Sequence, residues 1–158
     1  MEFKPRRNHI LVSIISLLFF FSCSESGREA PIEVMDAYLK KPLEGVNTAA
    51  AYMKIKNTSD NKIKIKGLTC NNVLAEFHET VNKDSGMMSM NKLNLLTVEP
   101  KSEITLVPGK KHIMLMGESM LNKTKGINCD LILESTNSFP TFKRVSVFFE
   151  IRNYVSEK

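Results

Sequence analysis

The feature that most restricts this chain is a period of two. From residue 32 onward, apolar and polar side chains alternate in one stretch after another. Ile32-Glu33-Val34-Met35-Asp36-Ala37-Tyr38 alternates, and Ala51, Met53 and Ile55 share one face of the AAYMKIK segment. Ile63 and Ile65 alternate with the three lysines of KIKIK, and Val73, Ala75 and Phe77 lie opposite Leu74, Glu76 and His78. Ile127, Cys129, Leu131 and Leu133 form another stripe, and Val145, Val147, Phe149 and Ile151 the last. Successive strand side chains point to opposite faces, whereas a helix repeats every 3.6 residues. The stretches therefore predict half-buried strands. Asn-Thr-Ser-Asp, Pro-Gly and Ser-Phe-Pro-Thr segments join them, which points to an all-β antiparallel sandwich or barrel. No repeat or linker divides the body of the chain, so one core is expected.

The N-terminus has a different character. Lys4, Arg6 and Arg7 precede a mostly apolar run from Ile10 to Phe21, followed by Ser22-Cys23. That run is shorter than the roughly 20 apolar residues of a spanning helix, and it reads as a secretory signal over residues 1–22. Cys23 after Ser22 resembles a bacterial lipobox, with Phe20 in the place usually held by Leu. The expectation is a lipidated Cys23, a tether over residues 23–31 and a domain over residues 32–155. The protein would then be a periplasmic lipoprotein held to the membrane by its anchor, since each buried methylene adds about 0.8 kcal/mol. The competing reading is ordinary cleavage that leaves Cys23 as a spare thiol. The formal charge is +5, but the lysines are scattered, so no nucleic-acid partner is indicated.

The chemistry concentrates in one window. Six of the nine methionines, Met87, Met88, Met90, Met114, Met116 and Met120, lie between residues 87 and 120. His78 and His112, the two histidines beyond the signal, lie in or beside it. In KHIMLMG, alternation puts His112, Met114 and Met116 on one face and Ile113 and Leu115 on the other. Met88 and Met90 share a face if their segment is extended. Methionine usually fills core space, and taken singly none of these is a strong candidate ligand. Jointly they present soft thioethers beside imidazoles, a donor set suited to Cu(I) and poorly suited to Mg(II), Ca(II) or Zn(II).

These residues resemble the periplasmic copper-chaperone family PCu(A)C. Its signature is a His, ten residues, a Met, twenty-one residues, then His-x-Met. His112-Ile113-Met114 matches the last element, and twenty-one residues separate Met90 from His112. Eleven residues, rather than ten, separate His78 from Met90, an insertion that the Val81–Gly86 loop can absorb. AAAYMKIKN, AEFHETV, SGMMSM and VPGKKHIMLMG follow in the family's order, so the likeness covers roughly residues 32–152. Asn91-Lys92 stands where the family often has Arg-Pro, and Thr80 where it often has Met. The resemblance implies a cupredoxin-like Greek-key barrel and a Cu(I) site of His78, Met90, His112 and Met114. Met88 and Met116 would be auxiliary donors. Glu79 or Asp84 would tune affinity or complete a Cu(II) sphere. The implied partner is a copper-accepting protein, either a cytochrome oxidase subunit or another copper chaperone.

Other readings stay beside this one. A storage or resistance protein would share the site. A copper-dependent redox enzyme is disfavoured because there is no Cys-x-x-Cys and no Ser/His/Asp arrangement stands out. A type 1 copper site needs a His shortly after a Cys, and none follows Cys129. A catalytic zinc needs three protein ligands, more than two histidines supply. A purely adhesive lipoprotein would bind no stoichiometric copper. Cys70 and Cys129 either pair as a disulfide in an oxidising compartment or stay as buried thiols.

Overall fold

The alternating stretches are strands in the computed structural model, which describes residues 31–83, 87–120, 125–134 and 143–153. The expected signal over residues 1–22, Cys23, the expected tether up to residue 30, Asp84 and residues 154 and 155 of the expected domain lie outside the described residues. In chain order the strands are β1 (Ile32–Lys40), β2 (Thr48–Asn57), β3 (Ile63–Cys70), β4 (Leu74–Asn82) and β5 (Met88–Leu93). There follow β6 (Leu96–Val98), β7 (Glu103–Leu106), β8 (Lys111–Met116), a 3-10 turn at Glu118–Met120, β9 (Gly126–Glu134) and β10 (Lys143–Arg152).

They form one ten-stranded sheet in the order β5-β4-β8-β2-β1-β10-β9-β3-β6, with β7 also on β2. Among the described residues, only β1 and β10 pair in parallel, and every other pairing is antiparallel. Just three adjacent pairs, β1–β2, β4–β5 and β9–β10, are consecutive in the chain. The remaining neighbours are distant in sequence, as in Greek-key barrels. β3 and β4 stand near opposite ends of the order, yet a tight turn with a Cys70–Val73 bridge joins them. The sheet therefore curls almost shut, in agreement with the predicted all-β barrel.

The inner face carries the core. Ala51, Ile55, Ile65, Ile113, Leu115, Leu131 and Phe149 are fully buried, and Phe77, Met53 and Met120 nearly so. Each large aliphatic or aromatic side chain gives about 1.5–3 kcal/mol on burial. The alternation in β1 does not run unbroken as the sequence suggested. A bulge between Met35 and Tyr38, with Asp36 at φ 50°, shifts the register of β1. Ile32 and Val34 face inward before it, and Ala37 and Leu39 after it. In the same way, a bulge before Gly67 moves the inward set of β3 from Ile63 and Ile65 to Leu68 and Cys70. One extra residue inverts the phase of everything downstream.

Cys70 lies directly opposite Cys129 on β9, and the two form a disulfide across 59 positions of chain. Of the two readings left open by the sequence, the pairing is the one observed. Asn57, at the end of β2, is fully buried. Its amide donates to the carbonyls of Asn61, Val98 and Glu99, while its side-chain oxygen accepts from the backbone and hydroxyl of Ser59.

β7 and β8 lie along the same edge of β2. β7 pairs with Met53–Lys56 and β8 with Thr48–Ala51. Between them the chain steps away through Val107-Pro108-Gly109-Lys110. The Lys110 amide donates to the Val107 carbonyl, and Gly109 has φ 74°. Pro at the second position and Gly at the third make this a type II turn. Lys111 and His112 consequently pair with β4 alone, and the strand rejoins β2 at Ile113.

Candidate metal site

His78 and His112 occupy directly opposed positions on β4 and β8. Opposed residues of an antiparallel pair share a face, and here it is the outer one, because Phe77 and Ile113 take the inner. The imidazole rings stand with centroids 6.0 Å apart and planes 32° from parallel. A first-row metal binds an imidazole nitrogen at about 2.0–2.1 Å, which puts the ring centre roughly 3 Å from the ion. The observed separation is one that a single ion can bridge.

Met114 follows His112 by two residues on the same face, with Glu76 opposite on β4 and Ala50 opposite on β2. Met90 comes from β5, where it faces Thr80, diagonally next to His78. The two thioethers thus flank the histidine pair from opposite directions along the strands. Diagonal neighbours stay within reach of long side chains. Met114 is half-buried, whereas Met90 is 60% exposed on the edge strand. Met88 and Met116 lie one same-face step further out, opposite Asn82 and Leu74. They extend the sulfur-bearing face without adjoining the imidazoles. Met120 is core, as methionine most often is.

The histidines sit lower than alternation alone suggests. His112 is only 7% exposed, and the His78 side chain 13%. By register, the longer side chains of Lys92, Glu76 and Met114 neighbour them on the same face. Each ring has one nitrogen engaged. His112 Nδ1 donates to the Lys110 carbonyl at 3.0 Å, and that carbonyl also accepts the Thr80 amide at 3.2 Å. His78 Nε2 lies 3.1 Å from a Glu76 carboxylate oxygen. The other nitrogen, His78 Nδ1, is buried with no hydrogen-bond partner. Burying such a nitrogen unpaired costs free energy, and a ligand would recover it.

Glu76 was not among the residues singled out from the sequence. It bridges His78 and Lys92, whose ammonium binds the other carboxylate oxygen. Lys92 first, and His78 second, hold the Glu76 carboxyl below the usual carboxylate range. Lys92 is also the residue that departs from the Arg-Pro pattern, so here the departure supplies an ion pair. Glu79 pairs with Lys111 instead, at 3.7 Å. Among the described residues, no three His, Cys, Asp or Glu side chains cluster as a metal site.

A family model described as "Putative lipoprotein LpqE-like" matches residues 32–138, the span that carries all of these side chains. This chain belongs to the LpqE-like family. None of the curated protein sequences matches it. Among solved structures, the LpqE-like chain is similar to the copper-bound PCuAC domain from PmoF2, with 20% identity and a TM-score of 0.62 over 79% of this chain and 95% of that one. The apo PCuAC domain from PmoF1 gives 20% identity and a TM-score of 0.63, covering 79% and 96%. The solution structure of CuI-DR1885 from Deinococcus radiodurans gives 24% identity and 0.53, covering 82% and 85%. The LpqE-like chain therefore has the fold of a PCuAC domain, as the sequence resemblance implied.

Proposed function

We propose that this protein is an extracytoplasmic copper carrier. It binds one Cu(I) through His78, Met90, His112 and Met114, and passes the ion to a copper-accepting partner such as the copper-centre subunit of cytochrome oxidase or another chaperone. The observation that carries the reading is the opposed His78–His112 pair, with a buried unpartnered nitrogen and a thioether on either side. Thioether sulfur is soft and neutral and favours the monovalent ion. The copper-bound PmoF2 domain and CuI-DR1885, which share the fold, support the same ion. The lipoprotein description of the family supports a chain anchored through Cys23 outside the cytoplasm. Met88 and Met116 serve as outlying donors, and Cu(II) as a second, weaker cargo.

The uneven exposure of the ligands suits a carrier. The imidazoles and Met114 hold the ion from below, while exposed Met90 is the ligand that a partner's donor displaces first. A shared intermediate then forms before the metal leaves. The test is titration of the full chain with Cu(I) against a competing chelator, with X-ray absorption on the loaded protein. One equivalent bound by mixed nitrogen and sulfur is expected. Wild-type affinity in the His112→Ala, Met114→Ala double variant would reject the assignment. Transfer of the ion to an apo copper-centre protein separates delivery from storage.

A further inference from the structure

The two histidines are held by different nitrogens, and the partners that hold them are fixed by separate elements. The Lys110 carbonyl is a pure acceptor set by the Pro108-Gly109 turn, so His112 must carry its proton on Nδ1 and keep its Nε2 lone pair. Glu76 lies two residues before His78 on the same face of β4, where an ionised carboxylate is likewise acceptor only. His78 therefore carries a proton on Nε2, and in the neutral imidazole this leaves the Nδ1 lone pair buried and unmet. Lys92 holds the far oxygen of Glu76, so the carboxylate cannot swing away freely.

We infer that Glu76 is a positioning residue which fixes His78 to present Nδ1 to the metal, while the Lys110 carbonyl fixes His112 to present Nε2. This rests on the copper reading above and adds to it a residue that does not touch the ion. Metal-bound histidines commonly donate their other nitrogen to such a partner, and its loss typically lowers affinity 10–100-fold. Glu76 also leaves the surroundings of a monovalent cation balanced, because its charge is met by Lys92. A lysine unpaired directly across from His78 would instead repel the ion.

Nitrogen-15 NMR of the full chain, with and without Cu(I), tests the assignment. In the apo protein, His78 is expected to show a protonated Nε2 and a bare Nδ1, and His112 the reverse. On loading, the shift of His78 Nδ1 and of His112 Nε2 should move. Glu76→Gln keeps an acceptor at the same place and should keep the nitrogen pattern, with a loss of affinity from the lysine it leaves unpaired that is smaller than the loss in Glu76→Leu. Glu76→Leu removes it. There, the metal-linked shift at His78 should leave Nδ1 or split between the two nitrogens, with affinity falling at least tenfold. Movement at His78 Nε2 in the wild type, or a Glu76→Leu chain with unchanged nitrogen pattern and affinity, would overturn the inference while leaving the copper site standing. A wild-type chain that binds no Cu(I) would overturn both.

Discussion

Asn57 and His78 are both polar side chains drawn into the sheet, and they differ in how completely they are satisfied. Asn57 has partners for every polar atom of its amide: three carbonyls on one side and Ser59 on the other. It ties the end of β2 to the segment around Val98 and Glu99. His78 has one nitrogen bonded to Glu76 and the other buried without a partner. A buried polar group that is fully paired stabilises and specifies the fold. One that is half paired costs stability, unless something outside the chain completes it. The same sheet thus holds a polar cluster closed on itself and another left open at one lone pair, and the open one faces the thioethers.

Removing the closed cluster should give the largest effect. Asn57→Ala leaves the Ser59 amide without its acceptor and removes the amide donor to the buried Val98 carbonyl, at roughly 1–3 kcal/mol for each group that water cannot reach. Urea unfolding is expected to lose about 3 kcal/mol, with Cu(I) affinity of the folded chain unchanged. A copper defect in that variant would mean that the two clusters are coupled. At the open cluster the expectation reverses. His112→Ala should weaken Cu(I) by about 100-fold in a chelator competition, equivalent to about 2.7 kcal/mol. Its folding stability should fall by only about 1 kcal/mol, the net value of the hydrogen bond to Lys110. Met90→Leu comes next. It keeps the bulk at an exposed edge position and removes one sulfur, so affinity is expected to fall about tenfold with no measurable change in unfolding. If binding is untouched, the fourth donor is another residue, and Met88 on the same face is the first to examine by the same titration.

How far the sequence could be read follows the same division. The inward stripes of β2, β9 and β10 were legible because alternation is local, and Ile55, Leu131 and Phe149 are buried as their spacing requires. The bulges near Asp36 and Gly67 were not, since one inserted residue changes phase without leaving a compositional mark. β6, only three residues long, is too short to show a period. At the site, His78, His112 and Met114 could be placed on one outer face from spacing, because β-strand parity decides it. That the two histidines oppose each other could not, because register between β4 and β8 depends on chain separated by some thirty residues. Glu76 escaped notice because a glutamate on the polar face of a strand ordinarily only meets water. The signal that would have found it is its position two residues before a candidate ligand. Cys129 was visible on an inward stripe, whereas Cys70 turns inward only beyond the Gly67 bulge, and only the β3–β9 register places one opposite the other.

The variant whose stability change has no fixed sign is the most discriminating. His78→Phe replaces the imidazole by a ring of similar shape with no polar atom. If His78 were structural in the way Asn57 is, the change would break a needed hydrogen bond and cost stability on the scale of Asn57→Ala. The arrangement around it argues otherwise. Glu76 keeps Lys92 as a partner, and the Nδ1 that phenylalanine removes was buried unpaired. The lost Nε2 hydrogen bond and the recovered desolvation of Nδ1 act in opposite directions, each on the order of 1 kcal/mol. Unfolding of the apo chain is therefore expected to shift by less than about 1 kcal/mol in either direction. Cu(I) binding should meanwhile fall about as far as in His112→Ala. A variant that unfolds much more easily would place His78 with Asn57 as a structural residue. A variant that stays folded and loses the metal identifies an imidazole whose stability cost is retained for the ligand it receives.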